Sequence, residues 1–256
     1  MIDSHIHTEF SLDSKMKLQH GIEHARKLDI GMTITEHLDL KFPTGTDFTF
    51  DIDKYFKDYK KYKSDNLMLG IEIGMQLICL EENREIINKY PFDYVIGSIH
   101  VTKGEDIFSP KYYEGKTKSE SFEQYFSSMV DCVKKYDFID SLGHIDYISR
   151  YATYKDNEIH YPEFKEYIDE VLKVIVHNGK VMEINTRRLK DVQAYNNLIH
   201  VYSSYKEMGG KYVTIGSDAH HAEDIGNNFM VASRICEICN LKPVYFKNRK
   251  IEFMSL

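Results

Sequence analysis

A mostly parallel α/β sheet, open or closed into a barrel, is the fold class this sequence predicts, and three observations predict it. Seven strand-like runs alternate with amphipathic helix-like stretches. The helix-like stretches repeat their apolar residues at three- and four-residue spacing, as a helix covering a sheet requires. Every strand-like run ends in polar or ionisable residues, and in an α/β barrel those carboxyl ends converge on the face where active sites are built. The chain has 256 residues, 42% hydrophobic and 29% charged, which suits a single domain, residues 1–256, with a large core.

Taken in order, the first strand is Ile2–Ile6, and it places His5 and His7 on one face because side chains two apart on a strand point the same way. Asp13 lies in the loop that follows, before a helix over Lys15–Leu28. The second strand, Met32–Glu36, opens after Gly31 and runs out in Thr35-Glu36-His37; a helix over Asp51–Lys63 follows. The third, Leu67–Ile73, carries Glu72 and leads to a helix over Glu81–Lys89. The fourth, Tyr94–Ser98, delivers His100, and its helix is Ser119–Tyr136. The fifth, Ile139–Gly143, delivers His144, and its helix is Tyr161–His177. The sixth, Val181–Asn185, carries Glu183 and continues into Thr186-Arg187; its helix, Asp191–Met208, stops at Gly209-Gly210. The seventh, Tyr212–Gly216, ends in Ser217-Asp218-Ala219-His220, with a last helix over Ala222–Asn240. The tail, Pro243–Met254, reads as a short strand pair. Two longer loops, Phe42–Phe50 and Val101–Lys118, have the composition of segments that cover or line active sites.

One histidine at a strand end is ordinarily a surface or capping residue. Six histidines and three carboxylates at successive strand ends point instead to metal: His5, His7, Asp13, His37, Glu72, His100, His144, Asp218 and His220. Nine ligands exceed the needs of one ion, and two or three ions fit if a carboxylate bridges. Imidazole and carboxylate without thiolate suit Zn, Mn or Fe over copper, and disfavour an all-oxygen Ca or Mg site. Three divalent ions would outweigh the negative charges of Asp13, Glu72 and Asp218, leaving a positive cluster suited to an anionic substrate such as a phosphate ester. His20, His24, His160, His177 and His200 fall within or beside helices and read as surface or packing residues; His221 has a supporting role at most.

Other features are read more plainly. Cys236 and Cys239 have no partner pair to complete a zinc ribbon and belong on a buried helix face. The 19 tyrosines read as packing and solvated surface. A net charge of −7 gives no electrostatic footprint for nucleic acid, and no basic stripe accompanies the aromatics. No apolar run approaches the roughly 20 residues of a membrane helix, and no basic-then-apolar leader opens the chain. Four scattered cysteines fit a reducing cytoplasm. Oligomeric state is not readable.

The ordered set His5-Ile6-His7, Asp13, Glu36-His37, Glu72, Ile96-Gly97-Ser98-Ile99-His100, Gly143-His144 and Ser217-Asp218-Ala219-His220 resembles the PHP superfamily, named for polymerase and histidinol phosphatase. The resemblance spans Asp3 to about Asp224 and implies a distorted (β/α)7 barrel, TIM-like, with three divalent ions at the carboxyl ends of the strands. It implies one ion held by His5, His7, Glu72 and Asp218, a second by Glu72, His100 and His144, and a third by Asp13, His37 and His220. Some members carry histidine where this chain has Asp13. The chain's length and the Gly143-His144-Ile145-Asp146 and Arg150-Tyr151 segments look like the stand-alone histidinol-phosphatase branch. The implied reaction is hydrolysis of L-histidinol phosphate to L-histidinol and phosphate; another PHP phosphoesterase, acting on nucleotides or other small phosphate esters, is the alternative. On that reading Arg150 and Arg187 clamp the phosphate, because a guanidinium matches it in bidentate geometry. Asp218 and His220 compete with bound water to protonate the leaving group, and Glu183, Asp146 and the Phe42–Phe50 loop are expected to receive the substrate's ammonium and imidazole.

Overall fold

The computed structural model describes residues 1–43, 45 and 48–254. In chain order the elements are β1 (Ile2–Ile6), α1 (Leu18–Lys27), β2 (Gly31–Leu38), α2 (Ile52–Tyr59), β3 (Leu67–Gly74), α3 (Leu80–Lys89), β4 (Val95–Ser98), β5 (Val101–Thr102), β6 (Glu105–Asp106) and α4 (Lys118–Val133). There follow β7 (Ser141–Leu142), α5 (Tyr147–Tyr151), α6 (Lys165–His177), β8 (Val181–Asn185), α7 (Val192–Glu207), β9 (Tyr212–Gly216), α8 (Phe229–Ile238), β10 (Lys242–Lys247) and β11 (Lys250–Phe253). The main sheet has the order β1-β2-β3-β4-β7-β8-β9-β10-β11, parallel throughout except for the terminal β10–β11 hairpin.

β1 and β3 are buried along their whole length; β3 reads as a near-continuous apolar run broken only by Glu72 and its glycines, whereas β1 buries Asp3, Ser4 and His5 between two isoleucines. The helices start where the sequence supplies caps. Asp51 accepts from Lys54 N–H, Asp191 from Gln193 and Ala194 N–H, and Thr117 with Glu120 forms a reciprocal capping box. The two edges of the seven-strand set meet at their carboxyl ends. Asp218 N–H donates to the His5 carbonyl (2.8 Å) and His7 N–H donates to the Ala219 carbonyl (2.9 Å). This brings the end of β9 beside the end of β1 and gives the distorted (β/α)7 barrel.

The opposite, amino end of the barrel is sealed by the terminal hairpin. Asn248 and Arg249 both take positive φ at its turn, as a tight hairpin with matching twist requires. The N–H of Asn248 donates to the Asp93 carboxylate (2.9 Å), and the Arg249 guanidinium reaches Asp140 and the Phe138 carbonyl. Phe246 stacks on Tyr94 with ring centroids 5.2 Å apart.

Some elements depart from the sequence reading. The fifth strand is Ser141–Leu142 rather than Ile139–Gly143, because the Asp140 carboxylate accepts the Val95 N–H in place of a ladder carbonyl. The last helix begins at Phe229, not Ala222. Gly226 adopts φ +73° and its N–H donates to the Asp3 carboxylate, which breaks the run into a short turn over Ala222–Asp224 and the helix proper. α6 starts at Lys165 rather than Tyr161, after a turn that includes Pro162. The small hairpin of β5 and β6 and the five-residue α5 are too short to leave a periodicity. In the Phe42–Phe50 loop, residues 44, 46 and 47 lie outside the described residues. No helix among the described residues is long and apolar enough to cross a membrane.

Candidate metal centre

The register of the parallel sheet sets the site. β2 and β3 pair with His37 beside Glu72, and β8 and β9 pair with Asn185 beside Gly216. The nine residues singled out in the sequence gather at the carboxyl ends of the strands. His5 Nε2 lies 3.3 Å and His7 Nε2 3.5 Å from Glu72 Oε2; the same nitrogens lie 3.9 and 3.4 Å from Asp218 Oδ1. Four ligands held about 2.1 Å from a tetrahedral ion sit about 3.4 Å from one another, so these four atoms have the spacing of a coordination shell. The other Glu72 oxygen, Oε1, lies 2.8 Å from His144 Nε2 and 3.5 Å from His100 Nε2. Asp13 Oδ2 lies 3.1 Å from His220 Nε2 and 3.6 Å from His37 Nε2.

The residues fit metal ions on a second test. His5 Nε2, His7 Nε2 and Glu72 Oε2 are buried yet have no hydrogen-bond partner. Orphaned buried polar atoms are rare in folded proteins, and these three face one another. Behind them the opposite nitrogens of the rings are held. His5 Nδ1 donates to Glu183 Oε1 (2.7 Å), His7 Nδ1 to Ser11 Oγ (3.2 Å), His100 Nδ1 to Asp39 Oδ1 (2.8 Å) and His220 Nδ1 to the Asp218 carbonyl (3.0 Å). In each case the outer partner fixes the ring and leaves Nε2 facing inward, as ligand histidines require. Ser11 is itself held by its hydroxyl donating to Glu36 Oε2 (2.5 Å), and Glu36 also accepts from the Thr8 N–H. Glu36 therefore ties down the loop after β1.

The electrostatics follow from burial and crowding. Burial alone would raise the Glu72 carboxyl, but His5, His37 and His100 outweigh it and hold the group well below the usual range. Burial disfavours a charge on His5, yet Glu183, Glu72 and Asp218 raise it well above the ordinary imidazole value. His100 behaves alike, with Asp39 and Glu72 overcoming burial and pushing it up to about 10. His7 goes the other way: burial and then His37 and His220 hold it neutral. Asp218 is kept ionised against burial by Arg150 and His5. Asp218 also adopts φ 55°, a left-handed backbone uncommon outside glycine, fixed by its N–H bond to His5.

A cavity of about 670 Å³ opens onto this cluster. Asp13, His37, Asp39, His100, His144 and Asp218 line its floor. Arg150 and Arg187, expected at the phosphate, both line it. Arg150 is buried, with Nη1 on Asp218 Oδ2 (2.5 Å) and Nη2 on Asn185 Oδ1 (2.9 Å), and its Nε has no partner. Arg187 is half exposed and donates to the Asp218 carbonyl (3.1 Å). His221, beside His220, reaches the cavity rim.

Two of the expected substrate contacts lie elsewhere. Glu183 is completely buried beneath the floor, with both oxygens engaged: Oε1 by His5, Oε2 by the His144 N–H (2.8 Å). It positions His5 rather than meeting a ligand. Asp146 is buried against Arg188, 3.1 Å away, and neither lines the cavity. A place on the sixth strand carries no information about depth, and Glu183 lies one layer below the cavity. Sequence reading also passed over Asp39, although it shares strand parity with His37, and it passed over Asp106. Cys236 and Cys239 are buried, as expected for a helix face.

Comparison with known proteins agrees with this geometry. A family profile described as PHP domain matches residues 3–187. The chain belongs to the PHP domain family. A protein of Clostridium acetobutylicum named probable histidinol-phosphatase is 50% identical over 253 residues, covering 99% of each chain. The histidinol-phosphatase of Lactococcus lactis is 30% identical over 236 residues, covering 87% of this chain and 85% of its own. The PHP fold seen here superposes on the crystal structure of histidinol phosphate phosphatase from Lactococcus lactis, complexed with zinc, L-histidinol and phosphate. That superposition has a TM-score of 0.93, 29% identity and 98% coverage of both chains.

Proposed function

We propose that this chain is a metal-dependent phosphomonoesterase that hydrolyses L-histidinol phosphate to L-histidinol and phosphate, as a step of histidine biosynthesis in the cytoplasm. The observation that carries this reading is the near-complete superposition on a protein holding zinc, L-histidinol and phosphate, together with an inward-facing ligand cluster in this chain. We assign three divalent ions of the Zn, Mn or Fe type: one to His5, His7, Glu72 and Asp218, one to Glu72, His100 and His144, and one to Asp13, His37 and His220. We further take residues 1–256 to act as one phosphoesterase domain.

Divalent ions held by these residues would supply Lewis acidity, activating water near neutral pH and offsetting charge on the phosphoryl oxygens. The protein's own contribution is positioning. Arg150 offers its free Nε from a guanidinium fixed by Asp218 and Asn185, and Arg187 approaches from the more open side of the cavity. Together they orient the phosphate and share the negative charge of its equatorial oxygens. The leaving alkoxide needs a proton. Asp218, held ionised by Arg150 and His5, has no proton of its own to give and orients His220 through its carbonyl; His220 and a bound water are the groups placed to serve the alkoxide.

Phosphate release from L-histidinol phosphate, measured beside a panel of nucleoside monophosphates and with a chelated control, tests the reading. We expect a strong, chelator-sensitive preference for L-histidinol phosphate. His100→Ala and Asp218→Ala should each lose turnover while keeping the native circular dichroism spectrum, because these residues serve the ions rather than the core. Equal rates across the panel, or near-native turnover in either variant, would contradict it.

A further inference from the structure

The cavity has two chemically different ends. At one end stand Arg150, Arg187 and the ligand cluster. The adjoining wall is built by the end of β6, the segment after it and α5: Asp106, Phe108 and Tyr151, with Tyr147 between Tyr151 and the ligands, its ring 4.8 Å from His100 and 4.9 Å from His144. Phe108 is 60% exposed at the rim and meets Tyr151 edge-on at 4.9 Å, and Tyr151 in turn meets Tyr147 at 5.0 Å.

Four carboxylates line the cavity, and three are committed. Asp13 faces His220 and His37, Asp39 faces His100, and Asp218 faces Arg150. Asp106 has no cationic or imidazole partner among the described residues. Its Oδ1 accepts the Phe108 N–H at 2.9 Å, which fixes the carboxylate relative to the aromatic ring. Partial burial raises its pKa despite that bond and the nearby His100. A half-buried carboxylate beside exposed aromatic edges, with no counter-ion of its own, is an arrangement that gains most from an incoming organic cation.

We infer that Asp106, with Phe108 and Tyr151, is the specificity-determining subsite of the cavity, selecting phosphomonoesters whose organic part carries a cationic ammonium or imidazolium group. This rests on the phosphatase reading above and names the part of the protein that chooses among phosphate esters. Asp106 takes no part in the bond-breaking step; it holds the far end of the substrate while Arg150 and Arg187 hold the phosphate. An alkyl or aryl ester without a cation leaves Asp106 unpaired and gains nothing from it.

The test is Asp106→Asn, which keeps the shape and the acceptor for the Phe108 N–H but removes the charge, assayed on L-histidinol phosphate and on p-nitrophenyl phosphate, whose organic part carries no cation. A lost charge-assisted contact corresponds to a fall of about 10- to 100-fold in kcat/KM. We expect that fall for L-histidinol phosphate, carried mainly by KM, with p-nitrophenyl phosphate and metal content per chain unchanged. An equal fall on both substrates, a fall carried by kcat alone, or no change on L-histidinol phosphate would overturn the inference. If the wild type itself shows no preference for L-histidinol phosphate over the nucleotide panel, the phosphatase reading fails first and separately. Asp106→Lys supplies a second arm: repulsion should depress L-histidinol phosphate turnover further than the loss on p-nitrophenyl phosphate, and a variant that spares L-histidinol phosphate would contradict the subsite.

Discussion

Glu72 is fully buried yet ionised, and it can be so because imidazoles surround both of its oxygens. Without ions, His5 and His100 carry protons that compensate this charge, burial notwithstanding. Those protons must leave before Nε2 can ligate, since only the neutral ring offers a lone pair. The sign follows. Metal loading of the stripped protein should release protons, and apparent affinity should rise with pH as the raised imidazoles, His100 near 10 among them, are increasingly deprotonated. Titrating Zn into chelator-treated protein in weak buffer with a pH indicator checks this; proton uptake, or affinity that falls between pH 6 and 8, would contradict it. The nine ligand candidates could be singled out in the sequence because two-residue spacing pairs His5 with His7 and Asp218 with His220 and because successive strand ends converge; Asp13 stands in a loop. The groups behind them were not. Asp39 differs from any surface aspartate only by the neighbour it meets, and Glu183 reads as a pocket residue until its depth is known.

At the scale of elements, the strands hold the cluster by leaving room for it. A Cβ on Gly74, the last residue of β3, would fall 1.9 Å from Asp39 Oδ1, and one on Gly216 of β9 would fall 2.4 Å from His5 Cβ and 2.5 Å from Glu183 Oε1. Neither glycine needs positive φ, so each is there for close approach. Gly74→Ala should push Asp39 off His100 Nδ1 and lower metal affinity about 10- to 100-fold, the usual cost of losing an outer partner of a ligand. Metal content after dialysis measures it, and an unchanged content would show that Asp39 does not orient His100. The terminal hairpin makes a contrasting case. Removing the Arg249 side chain leaves the buried Asp140 carboxylate without its cation far from the cavity. We expect Arg249→Ala to cost about 1–3 kcal/mol in denaturant unfolding with kcat unaltered. The alternation of strands and helices and the terminal strand pair were legible from pattern; the short α5, the β5–β6 pair and the break at Gly226 were not, because they arise from tertiary contacts such as Asp3 with the Gly226 N–H.

For the molecule as a whole, the barrel is a device for bringing residues 213 positions apart, His5 and Asp218, into one ligand cluster beside a cavity. The amino end is sealed by the terminal hairpin and carries fold stability; the carboxyl end carries unpaired ligand atoms that cost stability in the absence of ions. Ion binding should therefore stabilise the fold as well as activate it. Both consequences meet in one measurement: stepwise addition of Zn or Mn to chelator-stripped protein, with hydrolysis of L-histidinol phosphate followed at each step. We expect no turnover in the stripped protein and recovery that saturates at two to three equivalents per chain. Full turnover by the stripped protein, or recovery that needs no ion, would contradict the metal centre on which the proposed chemistry depends.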